Sequence, residues 1–319
     1  KVNKKYLKSE KLVQIFDNYA HYVGSHPYKI PGTYSLIAHL EINDGLYWPR
    51  GGMKGIIHKL YQKAKTAGVA FKFEKKVARI QYKNKMVQGV IVDDELYNAD
   101  FVISNMDVEF TYSHLLRKEM KQKYRTEKSS SAITFHWSME GKFPQLMAHN
   151  MFFPKDSKTD FDNVFLKEKS ISEDPTIYLF NSCKLDPKDA PENGENWMVV
   201  VFSDHDKGQD WDNLTQKAKQ LALQKIGEEL QVTDLETRIL HETTLDPRKI
   251  ENFYGAHKGS IYGDAMHGAM SVFKRHPNFH PQIKGLYFAG GTVHPGAGLP
   301  MCMLSAKIVD QLIAKRLKD

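Results

Sequence analysis

Apolar residues recur at helical spacing at Leu12, Ile15, Phe16, Tyr19 and Val23, which predicts a helix capped by Ser9 and stopped by Gly24-Ser25. A second helix is predicted from Thr33 through Leu36, Ile37 and Leu40. The pattern then changes. Leu46-Tyr47-Trp48 reads as a short strand, and Pro49-Arg50-Gly51-Gly52 as a turn. Residues 53–67 read as a helix with Ile56, Ile57, Leu60 and Ala64 on one face, ended by Gly68. Residues 69–73 alternate like a strand, 77–82 and 87–92 like a hairpin around Lys83-Asn84-Lys85, and 101–103 like a buried strand. Further strands are predicted at 132–139, 176–181, 197–202 and 237–241, with one strong helix at 212–230. The chain closes with a strand at 286–289, a glycine-rich loop and a helix at 299–317.

This order predicts an α/β fold in two domains: a partial Rossmann-like layer with an inserted α+β domain. The boundaries are 1–45, a helical part of the second domain; 46–105, a segment of the α/β layer; 106–255, the inserted domain; and 256–319, the return to the layer. At 319 residues and 41% hydrophobic content the chain is long enough for two cores. Its net charge of +7 is spread out, mostly as lysine, with no basic arm interleaved with aromatics, so no nucleic-acid partner is expected. A solvated lysine surface or attraction to an anionic membrane both account for it. Two cysteines, Cys183 and Cys302, give neither a disulfide framework nor a zinc spacing and suit a reducing cytoplasm; no metal site is expected. No apolar run approaches the roughly 18 residues of a spanning helix.

The candidate chemistry lies in two glycine turns. Phe288-Ala289-Gly290-Gly291-Thr292-Val293-His294-Pro295-Gly296-Ala297-Gly298-Leu299-Pro300 joins a strand to a helix, and Trp48-Pro49-Arg50-Gly51-Gly52-Met53 repeats that arrangement. Glycine lets a ligand touch the main chain, and a helix start offers unpaired N–H groups to an electron-rich group. A tight turn onto a packed helix is the alternative. Neither turn is a G-x-G-x-x-G fingerprint.

With the segment Ala99-Asp100-Phe101-Val102-Ile103-Ser104-Asn105-Met106-Asp107, and with Ser305-Ala306-Lys307 after the second loop, these stretches carry a resemblance. The chain resembles the carotenoid desaturases of the phytoene-desaturase type, flavoproteins of the amine-oxidase-like fold. It is most similar to the branch acting on 1-hydroxycarotenoids at the 3,4 position, and the diapocarotenoid desaturases and oxidases are also similar. The resemblance implies FAD as cofactor, bound by Gly51, Gly52, Met53, Val77, Asn105, Gly290, Gly291, Gly296, Gly298, Leu299, Pro300 and Met301. It implies a carotenoid or other polyene substrate and peripheral attachment to a membrane on the cytoplasmic side. Members of the family begin with a strand-glycine-helix FAD fingerprint, which this sequence lacks, so the chain taken alone is expected to be inactive. A non-catalytic carotenoid- or lipid-binding module is the contrasting reading. His294 is the catalytic candidate, either as a proton acceptor or as a hydrogen-bonding residue of the turn. Segments 51–53 and 290–298 are expected to form one seat for the isoalloxazine.

Overall fold

The longest strands explain the largest core. The structure is a computed structural model that describes residues 3–118, 121, 127–166, 170–268 and 271–318. Strands β1 (Val77–Lys83), β2 (Met86–Val92) and β3 (Glu95–Asn98) form an antiparallel three-stranded sheet. The β1–β2 turn is the predicted one: Asn84 and Lys85 both take positive φ, 50° and 60°, which suits a two-residue hairpin whose twist matches its strands. β4 (Val102–Ser104) pairs in parallel with the last strand, β10 (Leu286–Phe288), which lies far along the sequence. Between them, β5 (Ser131–Glu140), β6 (His149–Phe152), β7 (Ile177–Asn181), β8 (Gly194–Ser203) and β9 (Ile239–Leu245) form an antiparallel sheet in the order β6-β7-β8-β5-β9.

Alternation along β5 and β8 sets the faces of this sheet. Ile133, Phe135, Trp137 and Met139 join Trp197, Val199 and Val201 on one side, all buried. They meet Ala218, Ala222 and Ile226 of the long helix Trp211–Leu230. The other side carries Tyr178, Phe180, Met198 and Val200, all half-buried, with the Trp48 ring 5.3 Å from that of Phe180. A smaller core of Ile80, Val87, Val108, Ile283, Leu286, Phe288 and Val293 ties the β1–β3 sheet to the β4–β10 pair.

The helices, numbered along the chain, are α1 (Asn3–Tyr6), α2 (Glu10–Asn18), α3 (Ser35–His39), α4 (Gly52–Thr66), α5 (Val108–Phe110), α6 (Ser157–Phe165), α7 (Trp211–Leu230), α8 (Pro247–Tyr254) and α9 (Leu299–Arg316). Several expectations need correction. Ser9 precedes α2, but its side chain makes no capping bond, and α2 buries Val13 while Leu12 and Ile15 stay exposed. Residues 46–48 are not a strand, because Trp48 turns onto Phe180 instead of pairing its backbone. Residues 69–73 are not a strand either: Phe71 and Phe73 pack on Tyr61, at ring separations of 4.6 and 6.1 Å, and fold the segment back on α4. The expected buried face of α4 is open, with Ile57 and Leu60 exposed, and in β4 Ile103 is exposed. The strand predicted at 237–241 runs instead from Ile239 to Leu245.

Candidate functional site

The loop 289–298 leaves β10 and enters α9, and its underside is tightly held. Ser305 Oγ, fully buried one turn and a half into α9, accepts the Gly290 N–H at 3.1 Å and an Asn278 Nδ2–H at 2.9 Å. Asn278 Nδ2 also donates to His294 O at 2.8 Å and Phe288 O at 3.2 Å. The buried Arg275 guanidinium donates to Gly291 O at 2.9 Å. Asn105, at the end of β4, donates to Ala289 O at 2.9 Å, and Thr292 Oγ1 accepts the Val108 N–H at 3.0 Å. Parallel pairing of β4 with β10 brings these two ends together.

The loop is open at its α9 end, at Gly298, while Gly290 and Gly296 are buried against Asn105 and Arg275. Gly290, Gly296 and Gly298 hold φ of 124°, 143° and 106°, which side chains rarely adopt. A methyl built on Gly298 would meet nothing within 4 Å. Gly298 is the N-cap of α9 and supplies no side-chain cap, and Pro300 sits in the first turn. The first turn of a helix has no internal acceptors for its N–H groups, so those of Leu299 and Met301 remain available beside the positive end of an 18-residue helix. Leu299 and Met301, both exposed, make this end of the loop apolar. Main-chain donors beside apolar side chains fit a flat, electron-rich ring with carbonyl oxygens, such as a flavin.

Of the residues singled out in the sequence, the structure gathers Asn105, Gly290, Gly291, His294, Gly296, Gly298, Leu299, Pro300 and Met301 around this loop. His294 has its N–H on His276 O at 2.9 Å, and its ring makes no hydrogen bond among the described residues. Gly51 and Gly52 start α4 with φ of 79° and 67°; a methyl on Gly51 meets nothing, and one on Gly52 meets only Trp48. No hydrogen bond among the described residues joins 51–53 to the loop, and Met53 is exposed. Val77 opens β1 opposite Val92. Sequence reasoning missed the underside, namely Arg275, Asn278 and Thr292. Two buried polar residues before the glycine loop, and a half-buried threonine within it, were the available signal, and they follow no periodic pattern.

Beside the loop, the nearly buried Lys128 Nζ bridges Glu109 at 2.9 Å and Asp264 at 3.0 Å. Burial works against its charge, but Asp264 and Glu109 outweigh that and keep its pKa raised.

The model of the family described as flavin containing amine oxidoreductase matches residues 14–313. The chain is 43% identical over 313 residues to the 1-hydroxycarotenoid 3,4-desaturase of a Flavobacterium, covering 98% of this chain and 64% of that protein. It is 32% identical over 322 residues to the 4,4'-diapolycopene oxygenase of a Methylomonas, with the same coverage. It is 31% identical over 338 residues to the phytoene desaturase of Fusarium fujikuroi, covering 98% of this chain and 59% of that protein. The chain thus spans under two thirds of the length of these relatives. In fold it is similar to an oxidoreductase from Methanosarcina mazei, with a TM-score of 0.64 at 17% identity over 97% of this chain and 66% of that one. It is also similar to the cyclohexylamine oxidase of Brevibacterium oxydans, with a TM-score of 0.52 at 13% identity over 99% of this chain and 67% of that one. With nearly the whole chain matched, the chain belongs to the flavin-containing amine oxidoreductase family.

Proposed function

We propose that the protein is an FAD-dependent carotenoid desaturase that removes two hydrogens from a CH–CH unit beside a conjugated polyene, with a 1-hydroxycarotenoid desaturated at its 3,4 position as the favoured substrate. The open main chain at Gly298, on the uncapped start of α9, is the observation that carries this reading. FAD supplies, when bound, an acceptor for the hydride. The chain's own part is to hold and to orient. Gly298 leaves the main chain open to a ring, with Gly290, Gly291 and Gly296 shaping the loop around it, and the N–H groups of Leu299 and Met301 would serve its electron-rich edge. Gly51, Gly52 and Met53 would take the ribityl side of the cofactor, and backbone groups at Val77 its adenine. His294, with its free imidazole, would accept the proton that follows hydride loss. The half-buried apolar side of the large sheet, with Tyr178, Phe180, Met198 and Val200, offers a hydrocarbon-lined floor for the polyene and keeps water from it.

A polyene dissolves in lipid, so the protein would reach it from a membrane surface on the cytoplasmic side. Among the described residues no helix is long and apolar enough to cross a membrane. Peripheral contact is supported by exposed Leu36, Leu40, Ile42, Leu46 and Tyr47. Similarity to a diapolycopene oxygenase favours a second reading, in which the product gains oxygen. Incubating the full-length protein and FAD with a panel of carotenoids separates the two by product mass. A loss of two hydrogens supports desaturation, a gain of oxygen supports the second reading, and no product from any carotenoid points to a binding module. Flotation with anionic liposomes tests the membrane contact; protein left wholly in the aqueous fraction contradicts it.

A further inference from the structure

Arg275 is only 7% exposed, yet no carboxylate lies within ion-pair distance of it among the described residues. The acid with the largest influence on it, Asp264, is bonded to Lys128. Its Nη atoms are used on Gly291 O, on Tyr262 O at 3.3 and 3.4 Å, and on Met266 Sδ at 3.3 Å. All of these acceptors are neutral. Its Nε is buried without a hydrogen-bond partner, and a methyl built on Gly296 would lie 3.2 Å from that atom. The guanidinium therefore lies flat beneath Gly296 and pulls on the carbonyl of Gly291. A trans peptide is planar with its C=O and N–H opposed, so this pull turns the Thr292 N–H toward the other side of the loop. An always-charged group buried against neutral acceptors is costly in a role confined to packing.

We propose that Arg275 is a positioning residue with an electrostatic role: it fixes the loop so that its N–H groups face an electron-rich heteroaromatic ring, and it supplies the positive charge that favours added electron density on that ring. This deepens the flavin reading and rests on it. A guanidinium in a low-dielectric setting acts over several ångströms with little screening, so its charge and its hydrogen bonds should be separable.

The test uses the full-length FAD-loaded protein as wild type, R275K and R275Q, with the cofactor midpoint potential, the FAD dissociation constant and circular dichroism as readouts. R275K keeps the charge and loses the fork; R275Q loses the charge and keeps a donor. The expected result is a reduction equilibrium at least about tenfold less favourable in R275Q, which for a two-electron couple is a fall of about 30 mV. R275K should keep at least half of the wild-type advantage, although both variants bind FAD less tightly. If R275Q does not fold, R275M takes its place. Equal loss of FAD affinity in both variants, with the bound cofactor at wild-type potential, would leave Arg275 a structural role only and overturn the proposal. A wild-type protein that binds no flavin would overturn the flavin reading itself, an outcome distinguishable from the first.

Discussion

Ser305→Ala isolates the staple between the glycine loop and α9. Ser305 Oγ is fully buried and accepts from Gly290 N and Asn278 Nδ2. Removing it has unequal consequences for the two donors. Asn278 keeps its acceptors Phe288 O and His294 O. The Gly290 N–H, itself buried, keeps none. An orphaned buried donor costs about 1–3 kcal/mol, and with one donor stranded the loss should be about 2 kcal/mol. The lost oxygen leaves a space too small to add a large cavity cost. Urea unfolding of the chain, followed by tryptophan fluorescence, measures this against Lys307→Ala, an exposed substitution on the same helix that should stay within about 0.5 kcal/mol of wild type. If the loop must be ordered before FAD binds, the same 2 kcal/mol weakens FAD affinity by up to about 30-fold. A Ser305→Ala variant as stable as Lys307→Ala would refute the claim that this bond holds the loop.

Gly290→Ala should impair FAD binding more than folding, because φ of 124° is strained for alanine and its methyl would stand 2.9 Å from Asn105 Nδ2; fluorescence titration of FAD reads the loss, expected at about tenfold or more. Gly89→Ala should cost at least about 3 kcal/mol, since its methyl would fall 1.9 Å from the Tyr97 carbonyl oxygen and part β2 from β3; a thermal melt little changed from wild type would contradict that register. His21 is buried between the rings of Phe161 and Phe202, at 4.4 and 3.7 Å, and burial lowers its pKa to about 3. The unfolded chain therefore binds the proton that the fold refuses, so stability falls as pH drops below the free histidine value of about 6.5. His21→Phe should remove about 2 kcal/mol of the loss between pH 7 and pH 5, read by unfolding at both; an unchanged pH slope would contradict a neutral buried His21.

What the sequence made legible follows from where the backbone needs meet the residue types. Lys83-Asn84-Lys85 marked its hairpin because Asn tolerates positive φ. The alternation Ile133, Phe135, Trp137, Met139 marked β5 because that sheet buries one face completely. Gly290, Gly296 and Gly298 marked the site loop because their φ values disfavour side chains. Strands β3 (ELYN) and β6 (HNMF) were hidden because they lie at sheet edges, little buried, and lack the apolar run that marked the still shorter β4 and β10. Helices α6 and α8 were overlooked although Asp156 and Asp246 cap them through their side chains and Pro247 opens α8, a start signal that was there to read. Residues 69–73 alternate as strands do, but Tyr61 supplies a nearer partner for Phe71 and Phe73 than any neighbouring strand. The underside of the site depends on Arg275, Asn278 and Ser305 meeting across 30 residues, and local pattern does not report such a meeting.

The central claim is that the glycine loop 290–298, open at Gly298 beside the start of α9, seats a flavin that takes hydrogen from a polyene. Its most direct test is anaerobic mixing of the FAD-loaded full-length protein with a linear hydroxylated carotenoid, recording flavin absorbance and product mass together. The account predicts loss of the oxidised flavin band in step with a product lighter by two hydrogens. An oxidised flavin that persists while the carotenoid is returned unchanged would contradict it.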